Sequence, residues 1–291
     1  MISLRHIVPP LLVVAVAGAW TDRAAAESGY RKTLLQWSYG TSFEGGPDVY
    51  EPLVTDRPDF TESSVTVGYG VAQLEMGYTF TYDSEGDDRV RSHSFPETLL
   101  RVGVLAEWFE FRIDWNYLDE HTEIGGVDDT ASGAEDLGLG IKLALTPQEC
   151  MLPETAIIFQ MTVPSGSSEF TADEVLPGVL YLYSWEINDD WSTGGLSAAH
   201  RATDEVTGDG YVLLHQSWTL VRSLTDRVGA FTEWFVLAPT SADTDRVEHY
   251  LDGGFTFLIN NDIQWDIRAG LGLNDHADDF FAGTGLSLRY W

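Results

Sequence analysis

Few residues in this chain fall into spacings that carry chemistry. A nucleophile elbow needs Gly-x-Ser-x-Gly on a strand-to-helix turn, and Gly195-Leu196-Ser197-Ala198-Ala199 lacks the second glycine and any helical pattern after it. Gly138-Leu139-Gly140 is too short for a phosphate loop and sits inside a strand pattern. Cys150 is the only cysteine, which excludes an internal disulfide and a cysteine-based zinc site. The run Asn274-Asp275-His276-Ala277-Asp278-Asp279 offers hard oxygens to calcium without the ligand spacing of a calcium loop, so it reads as a solvated acidic loop. A lipid hydrolase of the outer membrane would need a Ser/His pair held in register on a lipid-facing surface, and no clear one is present. Neither catalysis nor a metal or other cofactor is expected.

What remains is charge placed at regular positions. Glu75, Arg101, Glu110, Arg112, Asp114, Lys142, Glu186, Glu233, Asp252, Asp266, Arg268 and Arg289 all fall on the polar face of segments whose other face is apolar. Ions of both signs cannot be buried cheaply unless they are paired or wet, so these residues are expected to line a lumen, either open or braced by ion pairs. Ahead of them, Thr55 to Ser63 concentrates Asp56, Arg57 and Asp59. Two readings of that segment stay open: a gate or plug at one mouth of the lumen, or a lead-in that caps it structurally.

The elements that must position these charges have period two, which in an extended chain sends alternate side chains to opposite faces. Phe109, Phe111, Ile113, Trp115 and Tyr117 alternate with Glu110, Arg112, Asp114 and Asn116. Leu137 to Leu145 and Ile263 to Leu271 repeat the pattern, while strands seven and eight alternate poorly and their facing stays open. Applied throughout, the signal predicts about twelve strands, roughly 73 to 82, 97 to 106, 109 to 118, 136 to 145, 155 to 164, 178 to 187, 191 to 200, 211 to 222, 228 to 237, 249 to 259, 263 to 273 and 280 to 291. Most match the roughly 9 to 11 residues a tilted strand needs to cross a bilayer, where a soluble sandwich would average about 5 or 6. Long acidic connections are expected after the first, third, fifth, seventh and ninth strands, and tight turns after the second, sixth, eighth and tenth. That alternation is the one seen between external loops and periplasmic turns. The expected fold is an all-β, transmembrane, antiparallel up-and-down β-barrel preceded by an N-terminal periplasmic or plug segment.

The domain reading follows: 1–26 as a signal peptide, 27–72 as the lead-in or plug, and 73–291 as the barrel. Arg5 and His6, an apolar run from Ile7 to Trp20 that is too short to span, and Ala24-Ala25-Ala26 make the export signal. With 46 acidic against 16 basic residues the formal charge is −30, which repels phosphate and excludes nucleic acid as a partner. Outer-membrane lipid, the barrel-insertion machinery and a small-molecule solute are the expected partners.

Four stretches, taken in order, carry a resemblance. Thr55-Asp56-Arg57-Pro58-Asp59-Phe60-Thr61-Glu62-Ser63, Gln73-Leu74-Glu75-Met76-Gly77-Tyr78, Gly133-Ala134-Glu135-Asp136-Leu137 and Phe281 to Tyr290 resemble the transporter family named for the meta-pathway of phenol degradation. The resemblance covers about residues 50 to 291. It implies an outer-membrane channel for small, hydrophobic or aromatic compounds; the competing expectation is a structural or surface-interaction barrel that never conducts. Outer-membrane barrels end on an aromatic with apolar alternate neighbours, and Tyr290, in line with Leu288 and Leu286, fits that pattern better than Trp291 does.

Overall fold

The computed structural model describes residues 33–35, 48–204, 206–242 and 244–291. The expected signal peptide and the first part of the lead-in lie outside them. Thirteen strands, all antiparallel to their neighbours, account for the barrel: β1 (Ala72–Glu85), β2 (Asp88–Gly103), β3 (Phe109–Ile124), β4 (Val127–Ala134), β5 (Leu137–Thr146), β6 (Glu154–Val163), β7 (Leu176–Asn188), β8 (Trp191–Thr203), β9 (Gly210–Thr225), β10 (Val228–Thr240), β11 (Glu248–Asn260), β12 (Ile263–Gly272) and β13 (Phe280–Tyr290). β4 and β5 are successive pieces of one barrel strand, both opposite β3, so the barrel has twelve strands. β1 pairs with both β2 and β13. The ring is therefore closed and leaves no edge, which a backbone in hydrocarbon requires.

Alternation sets the facing. On β3, Glu110, Arg112, Asp114 and Asn116 are buried while Phe111, Ile113 and Trp115 between them are not. On β5, Gly138, Gly140, Lys142 and Ala144 are buried in the same way. Outward positions elsewhere carry large apolar groups such as Phe159, Trp218, Leu251, Phe255, Trp265 and Leu271. A closed barrel with that belt is an outer-membrane protein, with the short turns and the barrel's C-terminus at the periplasmic end.

Two expectations about connections are corrected. Asp83 to Asp88 is not a loop: β1 and β2 run on as a hairpin whose tip is Gly86-Asp87. β3 and β4 do the same around Gly125-Gly126, whose positive φ values of 59° and 77° suit glycine at a tight reversal. The polar strand extensions were hidden from periodicity because they have no lipid to face. The break between β4 and β5 has its own cause: Asp136 accepts hydrogen bonds from the Ser165, Gly166 and Ala172 amides, each at 2.9 Å, and folds the loop after β6 against the barrel.

Candidate functional site

Residues 48–71 do not stop at the barrel mouth. They enter at the periplasmic end, where Leu53 N–H donates to Asn261 O at 2.8 Å, pass along the lumen, and leave where the Gly70 amide donates to Gly103 O at 2.9 Å. Asp56 lies at the centre of a charge cluster on the inner faces of β1, β2, β3 and β5. Its Oδ2 accepts from Arg112 Nη1 at 2.5 Å and from Lys142 Nζ at 3.0 Å, with Arg101 Nε at 3.3 Å. Glu110 bridges the arginines, 3.0 Å from Arg101 Nε and 3.0 Å from Arg112 Nη1. Glu75 accepts from Arg101 Nη1 at 3.1 Å and from the Asp56 amide. Glu62 adds an ion pair to Arg112 at 2.7 Å. Every member but Glu62 is buried, so the ions are compensated by one another and not by water. Burial alone would raise the Asp56 carboxyl, but Arg101, Lys142 and Arg112 hold it well below the usual carboxylate range.

Arg57 makes a second attachment, to Glu97 at 2.9 Å and to Asp266 at 3.5 Å. It fits only because Gly77 and Gly285 face it: a Cβ on either would stand within 2.3 Å of the guanidinium. Arg268 donates to Pro58 O at 3.0 Å. A third attachment is acidic. Glu233 accepts from the Phe60 and Thr61 amides at 2.5 and 2.8 Å and also from the Thr61 hydroxyl. Asp59 lies in the same neighbourhood, and burial followed by the facing Asp252 carboxylate pushes its carboxyl up to about 7.

The remaining sequence-derived positions divide. Asp114 is buried beside Gly138, and Arg289 is buried at the periplasmic end, bonded to Asp262 Oδ1 and to the Val49 and Glu51 carbonyls. Glu186 is a correction. It is exposed at the periplasmic rim, where its backbone bonds Gln148, because β7 there has run past the end of the packed interior.

Alternation did not reveal the apolar half of the lumen. Ala156, Ile158, Leu180, Leu182, Leu196 and Ala198 form one inward cluster on β6, β7 and β8, and Leu213, Phe235, Leu237, Tyr250, Ala277 and Phe281 form another. Phe60 of the lead-in packs against both and stacks on Phe235 at 4.4 Å and 10°. The two strands that alternate poorly, 191 to 200 and 211 to 222, are β8 and β9, and both contribute apolar side chains to these clusters. Above Asp56, Asp59, Phe60 and Glu62 lies a cavity of about 400 Å³. One side of it carries Thr79, Thr81, Ser92 and Glu97, and the other Leu180, Leu196, Phe235 and Phe281 with Gln160, His200 and His215 among them.

The family model described as "Putative MetA-pathway of phenol degradation" matches residues 55–290, from the middle of the lead-in to the end of β13. The chain belongs to this family. No curated protein sequence matches this MetA-pathway family member. Among solved structures, an outer-membrane channel from Pseudomonas putida F1 is similar at 12% identity and a TM-score of 0.59, over 85% of this chain and 100% of that one. The translocator domain of the autotransporter NalP from Neisseria meningitidis is similar at 12% identity and a TM-score of 0.50, over 77% and 89%. At these identities the likeness concerns the fold alone.

Proposed function

We propose that this barrel is a channel for small apolar solutes, aromatic ones included, and that residues 55 to 63 are its plug. The observation that carries the reading is the two-sided cavity. A pore for ions or sugars has no use for Leu180, Leu196, Phe235 and Phe281 along one wall, whereas an apolar solute gains from leaving water there at about 25 cal/mol per Å² of buried apolar surface. That the P. putida barrel of similar fold is an outer-membrane channel supports the channel part of the reading. Asp56, Arg57 and Asp59 hold the plug through the three attachments, and the remaining charges of the polar wall receive it.

A specific observation favours a second reading. The Asp56 cluster is buried and mutually compensated, as a braced interior that never opens would be. Purified barrel reconstituted in planar bilayers separates the two, with heat-modifiable gel mobility as the check on folding. A channel gives discrete conductance steps, and adding an apolar solute such as toluene lowers the current. Folded protein that stays silent with and without its plug supports the structural barrel. In either case Tyr290, outward and 76% exposed in line with Leu288 and Leu286, is the residue we assign to recognition by the insertion machinery.

A further inference from the structure

Three inward residues on the apolar side of the lumen are polar. Gln160 on β6, His200 on β8 and His215 on β9 all line the cavity above Phe60. Across the sheet Gln160 pairs with Gly178 and Gly178 with His200, so the two side chains meet over a residue that has none. That gap is needed, because a Cβ on Gly178 would stand 2.3 Å from His200 Nδ1. His200 stacks on His215, with ring centroids 4.5 Å apart and 25° between the planes, and His215 lies 5.7 Å from Phe60. Phe60 in turn stacks on Phe235, which makes a row of four rings along one wall.

Their polar atoms are not all engaged. His200 Nε2, His215 Nε2 and Gln160 Oε1 are buried with no hydrogen-bond partner among the described residues, and His215 as a whole is only 5% exposed. Buried polar groups are normally satisfied, and a few of them converging on an apolar cavity are the mark of a ligand site. The one bond within the group narrows what that ligand must offer. Gln160 Nε2 and His200 Nδ1 are 3.5 Å apart. An amide and a neutral imidazole each carry a donor and an acceptor, so whichever amide atom makes this bond, one donor and one acceptor remain. A hydroxyl satisfies both, since its O–H donates and its oxygen accepts. A hydrocarbon satisfies neither and leaves the polar atoms buried and bare. A carboxylate brings acceptors only, and it meets the like charges of Glu120, Asp129 and Glu169 on the external part of the same cavity.

We propose that Gln160, His200 and His215 form a selectivity site for a flat ring carrying a hydroxyl, held by hydrogen bonds at its polar edge and by the row of rings against its apolar body. The proposal rests on the channel reading and adds to it the class of solute and the groups that choose it.

The test compares phenol with toluene, two solutes of nearly equal size that differ by a hydroxyl in place of a methyl. Binding to the full-length protein in detergent is measured by titration calorimetry against a detergent-only blank, and current in planar bilayers is measured separately. The parent is expected to bind phenol at least about tenfold more tightly than toluene, and benzoate more weakly than phenol. In His200→Phe with His215→Phe, which keeps the rings and removes the nitrogens, the preference is expected to vanish. The urea midpoint of that variant should hold or rise, because unpartnered polar atoms have been taken out of the barrel. Gln160→Leu, and Gly178→Ala, which displaces the His200 ring and leaves every polar group in place, are each expected to reduce the preference. Should the paired variant fail to fold, Gln160→Leu decides alone. Equal binding of phenol and toluene by the parent, or a preference that survives both the paired substitution and Gln160→Leu, overturns the site. So does a paired variant that loses stability and keeps the preference, since the histidines then only support the wall. If the barrel conducts and shows no preference, the site falls and the channel stands. If it prefers phenol and never conducts, the site stands and the channel reading falls.

Discussion

At the residue scale the proposed plug is held by groups whose ionisation is set by burial and by neighbours. Asp56 compensates Arg101, Arg112 and Lys142 at once, so Asp56→Ala leaves three cations facing only Glu75, Glu110 and Glu62. Breaking a buried ionic group in this way costs about 3 to 5 kcal/mol. Urea unfolding of the reconstituted barrel should show a loss of that size, and an unchanged midpoint would show the cluster to be dispensable. Asp59 works in the opposite sense. It faces Asp252 on β11, Glu233 on β10, Thr219 on β9 and its own chain neighbour Asp56, and it docks as a neutral acid with its carboxyl pushed up to about 7. A raised carboxyl contributes stability that is complete below its ordinary value of 3.8 and fades as pH climbs through about 7. Asp56, held low, contributes above its ordinary value and loses that only in strong acid. Plug docking should therefore weaken, and conductance rise, as pH climbs from about 4 to about 7. Asp59→Asn should flatten the profile; a profile as steep in that variant as in the parent would assign the titration elsewhere. The charged positions were legible because each interrupts an apolar alternation at fixed parity. Which carboxylate met which cation was not, since β1, β2, β3, β5 and the lead-in converge only when the ring closes.

At the element scale, the strands were legible where one face is polar and the other apolar, as in β3, β5 and β12. Their facing was hidden where a second hydrophobic demand was laid on the inner face. On β8 and β9, read as 191 to 200 and 211 to 222, Leu196, Ala198 and Leu213 point inward, so neither face is marked by polarity. The same accounting explains the hairpin extensions of β1 to β4, which stand in water on both faces and so carry no apolar stripe. Facing has a direct test. Ile113→Arg or Ile141→Arg places a cation in the lipid belt and should destabilise the inserted barrel by about 2 to 4 kcal/mol near the midplane. Thr81→Arg, on the inward face of β1 and lining the cavity, should cost much less. Equal effects in chemical denaturation would mean the faces are assigned the wrong way round.

At the scale of the whole molecule, the barrel is a ring of two unlike halves, one ionic and one largely apolar, and the lead-in touches both, through Asp56 and through Phe60. Reversing Arg57 to glutamate sets a carboxylate against Glu97 and Asp266, between glycines that offer no other partner. Single-channel current per folded barrel should rise in Arg57→Glu and in a deletion of 55 to 63, with insertion intact. A lower folding yield with unchanged current would make the segment a structural cap. The ionic half also has a consequence for the order in which the molecule is made. Asp56, Glu75, Arg101, Glu110, Arg112 and Lys142 all lie between residues 56 and 142, and their strands are neighbours in chain order from β1 to β5. The N-terminal portion therefore contains a self-complementary set of charges that needs nothing from β6 to β13 to be neutralised. A nascent sheet of β1 to β5 can gather its own lead-in without waiting for the rest of the chain, because the widest of these contacts, Lys142 to Asp56, spans 86 residues. Assembly in that order would let β13 close the wall on β1 around a filler already in place, with the buried charges paired before hydrocarbon surrounds them.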